Sequence, residues 1–185
     1  MGTRATYHLS AGHYDNHRVC FYIHWDGYLK GAAFYFLHMH QLKNDRGGYA
    51  GRFIRANELA EFTPSHDTHG DTEYRYDLDR AGILTAYERV NWDPAQWNIV
   101  YTGLWYDFVN QYLQDSHEKL YLFKDYTYQS CGSVMSLHEA LALLDRKLET
   151  IKTSRDEGNL EKAQSYEKEA AHLQEQINAL FTEQV

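Results

Sequence analysis

Two short stretches hold most of the side chains in this sequence that are able to do chemistry: Tyr22-Ile23-His24-Trp25-Asp26-Gly27-Tyr28 and His66-Asp67-Thr68-His69-Gly70-Asp71-Thr72-Glu73-Tyr74-Arg75-Tyr76. Each crowds imidazoles, carboxylates and aromatic rings around a turn glycine. Histidine moves protons near neutral pH and ligates metals, and a carboxylate serves as a base or as a bidentate partner for arginine. Burying such groups unpaired costs a few kcal/mol each, so they need hydrogen-bond partners or a ligand. Arg4, His24, Asp26, Tyr28, His66, His69, Asp71, Glu73 and Arg75 are therefore the candidate pocket residues.

The spacing excludes several chemistries. Eleven histidines invite a metal, yet His38 and His40 on a helix would point roughly 200° apart. His66 and His69 suit zinc only on a helix, and Pro64 and Gly70 predict a loop; Asp67 and Asp71 would have to complete such a site, and no spacing fixes a third ligand. The sequence assigns no metal and no cofactor. Nucleophilic catalysis lacks a G-x-S-x-G motif, Cys131-Gly132-Ser133 lacks a placed base, and mid-strand Cys20 reads as a structural thiol. The segment from Gly47 to Gly51 lacks the lysine of a phosphate-binding loop. No catalytic residue is assigned, and the balance leans away from an enzyme.

These residues must be positioned by a fold, and the pattern predicts one. Residues 4–9 and 18–25 read as strands around a turn-rich segment at 12–16. Val19, Phe21, Ile23 and Trp25 share one face, while Cys20, Tyr22, His24 and Asp26 share the other. Arg4, Thr6 and His8 share a face of the neighbouring strand. If those polar faces meet, Arg4 reaches Asp26, as a register-fixing ion pair in preference to an anion or general-base site. Residues 29–42 read as a helix with Ala32, Ala33, Phe36, Leu37 and His40 on one stripe. A loop follows at 44–51 and a helical turn at 53–59. Residues 72–78 and 83–90 form a second hairpin. In its first strand Glu73, Arg75 and Asp77 alternate with Tyr74, Tyr76 and Leu78, so Glu73 and Arg75 are expected to neutralise one another at a solvent face. A strand at 97–102, a helix at 104–113 and a short strand at 119–123 complete an α+β domain, an antiparallel sheet with packed helices.

The character changes after Ser133, which sets the domains as 1–133 and 134–185. Ser136 and Glu139 match a capping box. Leu137, Leu141, Leu144, Leu148 and Ile151 make one helical stripe; Leu160, Ala163, Tyr166, Ala170, Leu173, Ile177 and Leu180 make another. Gly158-Asn159 stops and restarts the helix, so the chain ends in an antiparallel helical hairpin with arms of roughly 30 Å. Glu161, Tyr166, Glu169, Leu173, Ile177 and Leu180 are its candidate interface, for a partner or for a homodimer.

The bulk composition sets limits. The 185 residues carry a formal net charge of −8, which argues against direct nucleic-acid binding. No stretch approaches the roughly 18 apolar residues of a membrane span, the first ten residues lack a signal-peptide core, and two cysteines in unrelated contexts fit a reduced cytoplasm. Aromatic residues reach 15%, with 16 tyrosines, a composition that serves half-buried strands and recognition surfaces alike.

Gly2-Thr3-Arg4, His24-Trp25-Asp26-Gly27-Tyr28 and Gly31-Ala32 resemble a family of small proteins from bacteria, phages and prophages. Its members open with Ser/Gly-Thr-Arg and carry a Tyr-x-x-x-Asp-Gly-Tyr-Pro-x-Gly core. Leu29 stands at the family's proline, the block from His69 to Tyr76 is also similar, and the likeness spans about residues 2–78. It brings no activity with it, but it implies a mobile element, whose accessory proteins often inhibit host defence. The first expectation is thus a non-enzymatic phage or mobile-element protein, acting in the host cytoplasm on a host protein or complex. An anti-CRISPR that occupies the basic nucleic-acid channel of a CRISPR effector with its own carboxylates is the leading form. The alternatives are a small-molecule or nucleotide-binding protein, or an enzyme, using the His/Asp/Arg pocket, and a structural phage component.

Overall fold

A computed structural model describes residues 2–12, 17–42, 48–115, 117–126 and 132–182. Most of the turn expected at 12–16 and half of the loop expected at 44–51 lie outside these residues, and so does Cys131. The chain divides into two compact units, Met1–His117 and Glu118–Val185.

The first unit is built on a six-stranded sheet. Its strands are β1 (Ala5–Ser10), β2 (Arg18–Ile23), β3 (Glu61–Thr63), β4 (Tyr74–Leu78), β5 (Ile83–Trp92) and β6 (Ala95–Leu104), in the order β3-β2-β1-β4-β5-β6. All neighbours run antiparallel except β1 and β4, which are parallel. The sheet is thus mostly antiparallel, as expected, with one parallel pair. Between β1 and β4 the chain runs through β2, β3 and two helices, α1 (Leu29–Gln41) and α2 (Gly48–Ala56), long enough for a parallel return. Residues 48–51, expected in a loop, open α2 instead.

Alternation along the strands splits the sheet into two unlike faces. Tyr7, Phe21 and Tyr76 point to one side and meet Phe36 of α1, Phe53 of α2 and Phe108 of α3 (Trp105–Tyr112). Tyr7 stacks on Tyr76 with ring centroids 4.8 Å apart. Ala5, Leu9, Ile23, Leu78, Leu84 and Ala86 complete this core, all fully buried. Part of the high aromatic content thus packs three helices against one sheet face.

The other face is polar. Register places Cys20, His8, Asp77, Thr85 and Thr102 in one row across the strands, and Tyr22, Thr6, Arg75, Tyr87 and Ile99 in the next. Residues 64–73 lie over the β2-β1-β4 part of it, tied down by side-chain hydrogen bonds from Thr6, Tyr22 and Arg75. The polar faces of β1 and β2 do meet, with Thr6 opposite Tyr22 and His8 opposite Cys20.

The second unit pairs β7 (Leu120–Lys124) with β8 (Gly132–Ser136), which leads directly into α4 (Leu137–Asp156) and then α5 (Leu160–Thr182). It begins at Glu118, earlier than the boundary expected at 134, because Phe123 and Met135 belong to the core formed with Leu144, Ile151, Leu173 and Ile177. The predicted capping box is present: Ser136 Oγ accepts from the Glu139 amide, and Glu139 accepts from the Ser136 amide at 2.8 Å. Gly158, with φ of 75°, ends α4. No helix among the described residues is long and apolar enough to cross a membrane.

Candidate functional site

At the centre of the polar face, three elements bring four side chains together. Thr6 and His8 come from β1, where strand alternation puts both on this face. Asp77 comes from β4, directly opposite His8 in the parallel register. His66 comes from the covering segment. Its Nδ1 lies 2.7 Å from Thr6 Oγ1, and its Nε2 lies 3.2 Å from Asp77 Oδ1. His8 Nδ1 reaches the same oxygen at 3.4 Å, and Arg18 Nη1 at 3.7 Å.

The donors can be assigned. A carboxylate only accepts, so His66 Nε2 carries the proton toward Asp77, and in the neutral ring Nδ1 accepts from the Thr6 hydroxyl. Burial raises the Asp77 carboxyl, but the hydrogen bond from His66, together with the influence of His66, His8 and Arg18, outweighs it and holds the group below the ordinary aspartate range. Burial likewise lowers His8, against the pull of Asp77. The centre therefore presents an ionised carboxylate beside a neutral His8 ring at neutral pH. Cys20, across from His8, has its thiol pushed up to about 11 by burial and stays protonated.

A second group lies beside the first. Tyr22 donates to Asp71 Oδ1 at 3.1 Å and stacks on His69 with ring centroids 3.8 Å apart. Arg4 Nε reaches Asp71 Oδ2 at 2.9 Å, and His24 faces Glu61 at 3.4 Å. Arg75 pairs with Asp67 and lies over the Trp97 ring at 3.9 Å, and Arg89 lies between Trp92 and Trp97. Alternating guanidinium and indole groups thus line the β5–β6 side of this face.

Of the nine expected pocket residues, seven gather here: Arg4, His24, His66, His69, Asp71, Glu73 and Arg75. Two expected pairings are replaced. Arg4 pairs with Asp71 instead of Asp26. Arg75 pairs with Asp67 instead of Glu73, which accepts from the Arg4 amide. Asp26 and Tyr28 are elsewhere. β2 ends at Ile23, and Asp26 sits in the left-handed region with φ of 55°; burial raises the Tyr7 and Tyr35 hydroxyls, and the Asp26 charge adds to it. Trp25, expected on the apolar strand face, is 59% exposed beyond the strand end. Tyr28 caps the start of α1.

This corner holds Asp26, Gly27, Tyr28 and Gly31. A Cβ on Gly31 would lie 1.9 Å from the Asp26 carbonyl oxygen, and one on Gly27 would lie 2.6 Å from the Ala5 side chain. Tyr76 closes the corner by donating to the Gly27 carbonyl at 2.8 Å. The Asp-Gly-Tyr-x-x-Gly segment forms a tight strand-to-helix turn.

Sequence reasoning left out Thr6, His8 and Asp77, although alternation had placed each on a polar face. The missing knowledge was that β1 and β4 are neighbours, which neither strand encodes locally. In the second unit, Leu173 and Ile177 are buried between the helices, Tyr166 and Leu180 pack beside them, and Glu169 Oε2 accepts from Lys147 Nζ at 2.5 Å. These candidate interface residues hold the hairpin itself together. Of that set Glu161, in the first turn of α5, is exposed.

The chain matches no family model, and neither a curated protein nor a solved structure matches it.

Proposed function

We propose that this chain is a binding protein whose first unit takes a small polar ligand on the open side of its sheet. The reading rests on one observation: β1, β4 and the 64–73 segment converge Thr6, His8, His66 and Asp77 on a common point. A sheet face meant only for solvent needs no buried threonine hydroxyl ordering an imidazole. Thr6 is fully buried, so the Thr-His-Asp chain does not read as a nucleophile with its base. Binding in place of covalent chemistry is what the arrangement supports. Arg4, His24 and His69, at the neighbouring group, would supply donors to an anionic portion of the ligand, while the Tyr22–His69 stack offers a ring face.

The phage inhibitor reading gains less from this geometry. Mimicry of a phosphate backbone calls for a row of carboxylates free to meet arginines, whereas Asp67, Asp71 and Asp77 each already face one in the same unit. The test is thermal unfolding of the chain with nucleotides, dicarboxylates and sugar phosphates. A ligand present at about 100 times its Kd stabilises by about 2.7 kcal/mol, and His69→Ala should abolish the response while leaving the ligand-free melting temperature within a few degrees. A ligand response that survives both His69→Ala and His24→Ala would place binding elsewhere and end this reading.

A further inference from the structure

We propose that His8 Nδ1, His66 Nε2 and an Asp77 carboxylate oxygen form a site for one divalent transition-metal ion of the zinc class. The inference rests on the reading of this face as a binding surface and names a ligand for it. The three ligand atoms lie within 4.8 Å of one another. Two of the separations, 3.2 Å and 3.4 Å, match the edge of about 3.3 Å expected for a tetrahedron with metal–ligand bonds near 2.0 Å. Two imidazoles and one carboxylate are a borderline donor set that suits zinc, cobalt or ferrous iron and is too nitrogen-rich for calcium or magnesium.

The surroundings fit a ligated imidazole. A metal on His66 Nε2 moves the ring proton to Nδ1, which then donates to Thr6 Oγ1 at 2.7 Å, the outer hydrogen bond that metal-bound histidines usually make. Side-chain exposure of 15% for His66, 25% for Asp77 and 38% for His8 leaves the centre open on one side. Three protein ligands with an open side leave a coordination position for water or for the small ligand. Arg18 opposes the ion. Its guanidinium lies 3.7 Å from Asp77 and must move outward when the metal enters.

The experiment uses the full chain without a histidine tag. Zn²⁺ binding is followed by calorimetry, and Co²⁺ binding by its visible absorption. One ion per chain is expected, with the intense cobalt bands of a four-coordinate site. His66→Ala and Asp77→Asn should each weaken Zn²⁺ binding at least about hundredfold. Arg18→Gln keeps every ligand and should tighten it about three- to tenfold by removing a like charge. That gain cannot come from misfolding. Absence of stoichiometric binding, or unchanged affinity in His66→Ala and Asp77→Asn, overturns the metal site. Where Zn²⁺ binding fails but the chelator-treated protein still shows its His69-dependent response to a small molecule, only the metal proposal falls. Loss of both responses removes the binding face as well.

Discussion

Thr6 and His66 are 60 residues apart in sequence, yet the threonine hydroxyl holds Nδ1 of the ring whose Nε2 faces Asp77. Thr6→Val keeps the shape and removes the hydroxyl, leaving Nδ1 without its donor. The expected cost is about 1–2 kcal/mol in urea unfolding, with Thr6→Ser recovering most of it. Nitrogen chemical shifts of the His66 ring should keep the Nε2-protonated pattern in the valine variant, with the Nδ1 signal moved by loss of its donor. A valine variant as stable as wild type would show that the hydroxyl orders nothing.

The aromatic core contains a polar flaw. The Tyr7 hydroxyl is buried among Tyr35, Phe36, Phe53 and Tyr76 and has no hydrogen-bond partner among the described residues. Tyr7→Phe removes an unsatisfied group without making a cavity, so it should stabilise the protein by roughly 1 kcal/mol, seen as a higher urea midpoint with an unchanged slope. Destabilisation would mean that the hydroxyl is satisfied in solution.

At the strand-to-helix corner the motif glycine leaves no room for a side chain. Gly31→Ala would place its Cβ 1.9 Å from the Asp26 carbonyl oxygen, and backbone cannot give way as a flexible side chain can. Loss of about 3 kcal/mol or more is expected, together with a shift of α1 that should perturb amide signals around Asp26 and Phe36. Asp26→Asn keeps a side chain tolerant of positive φ and should cost under about 1 kcal/mol. A large loss from that change would assign Asp26 a role beyond backbone geometry.

Much of this architecture is legible in the sequence, for physical reasons that differ by element. The Ser136–Glu139 box and the Gly158 stop are local signals and appear where expected. Strand alternation sorted Phe21 from Tyr22 correctly because period two is set by the backbone alone. What alternation cannot supply is the strand order. Asp77 meets His8 only because β4 docks beside β1 in parallel, a pairing decided by the whole helix layer. β3, at three residues, is too short to carry a pattern. Asp26 was placed with the strand residues because nothing in its neighbours announces a left-handed turn before Gly27.

Tyrosine burial makes the fold sensitive to alkali. Burial pushes Tyr22, Tyr74 and Tyr101 up to about 12; hydrogen bonds to Asp71 and Glu88 add to the effect for the first two. Their unfolded value is near 10. Between these limits the unfolded chain has released protons that the native state still holds, so stability is intact below pH 10 and falls as pH rises toward 12. Urea midpoints should be flat from pH 8 to 9.5 and decline by pH 11, with Tyr74→Phe reducing the slope. A midpoint unchanged at pH 11 would contradict the burial of these hydroxyls.

The helical hairpin separates leucines that the sequence grouped together. Burial on α4 follows Ala140, Leu144, Ile151 and Ser154, the three-and-four seam of a two-helix contact, with Lys147 filling the intervening place by pairing with Glu169. Leu141 and Leu148 fall one position outside that seam and are 40% and 51% exposed. Such a seam is narrower than the stripe read from periodicity, because one partner helix covers only one side. Leu144→Ala should therefore cost about 2–4 kcal/mol in thermal or urea unfolding. Leu148→Glu should change stability by no more than about 0.5 kcal/mol. If instead Leu148→Glu proves as damaging as Leu144→Ala, Leu148 is covered in solution. Sedimentation of the two variants would then show whether a second copy of the chain does the covering.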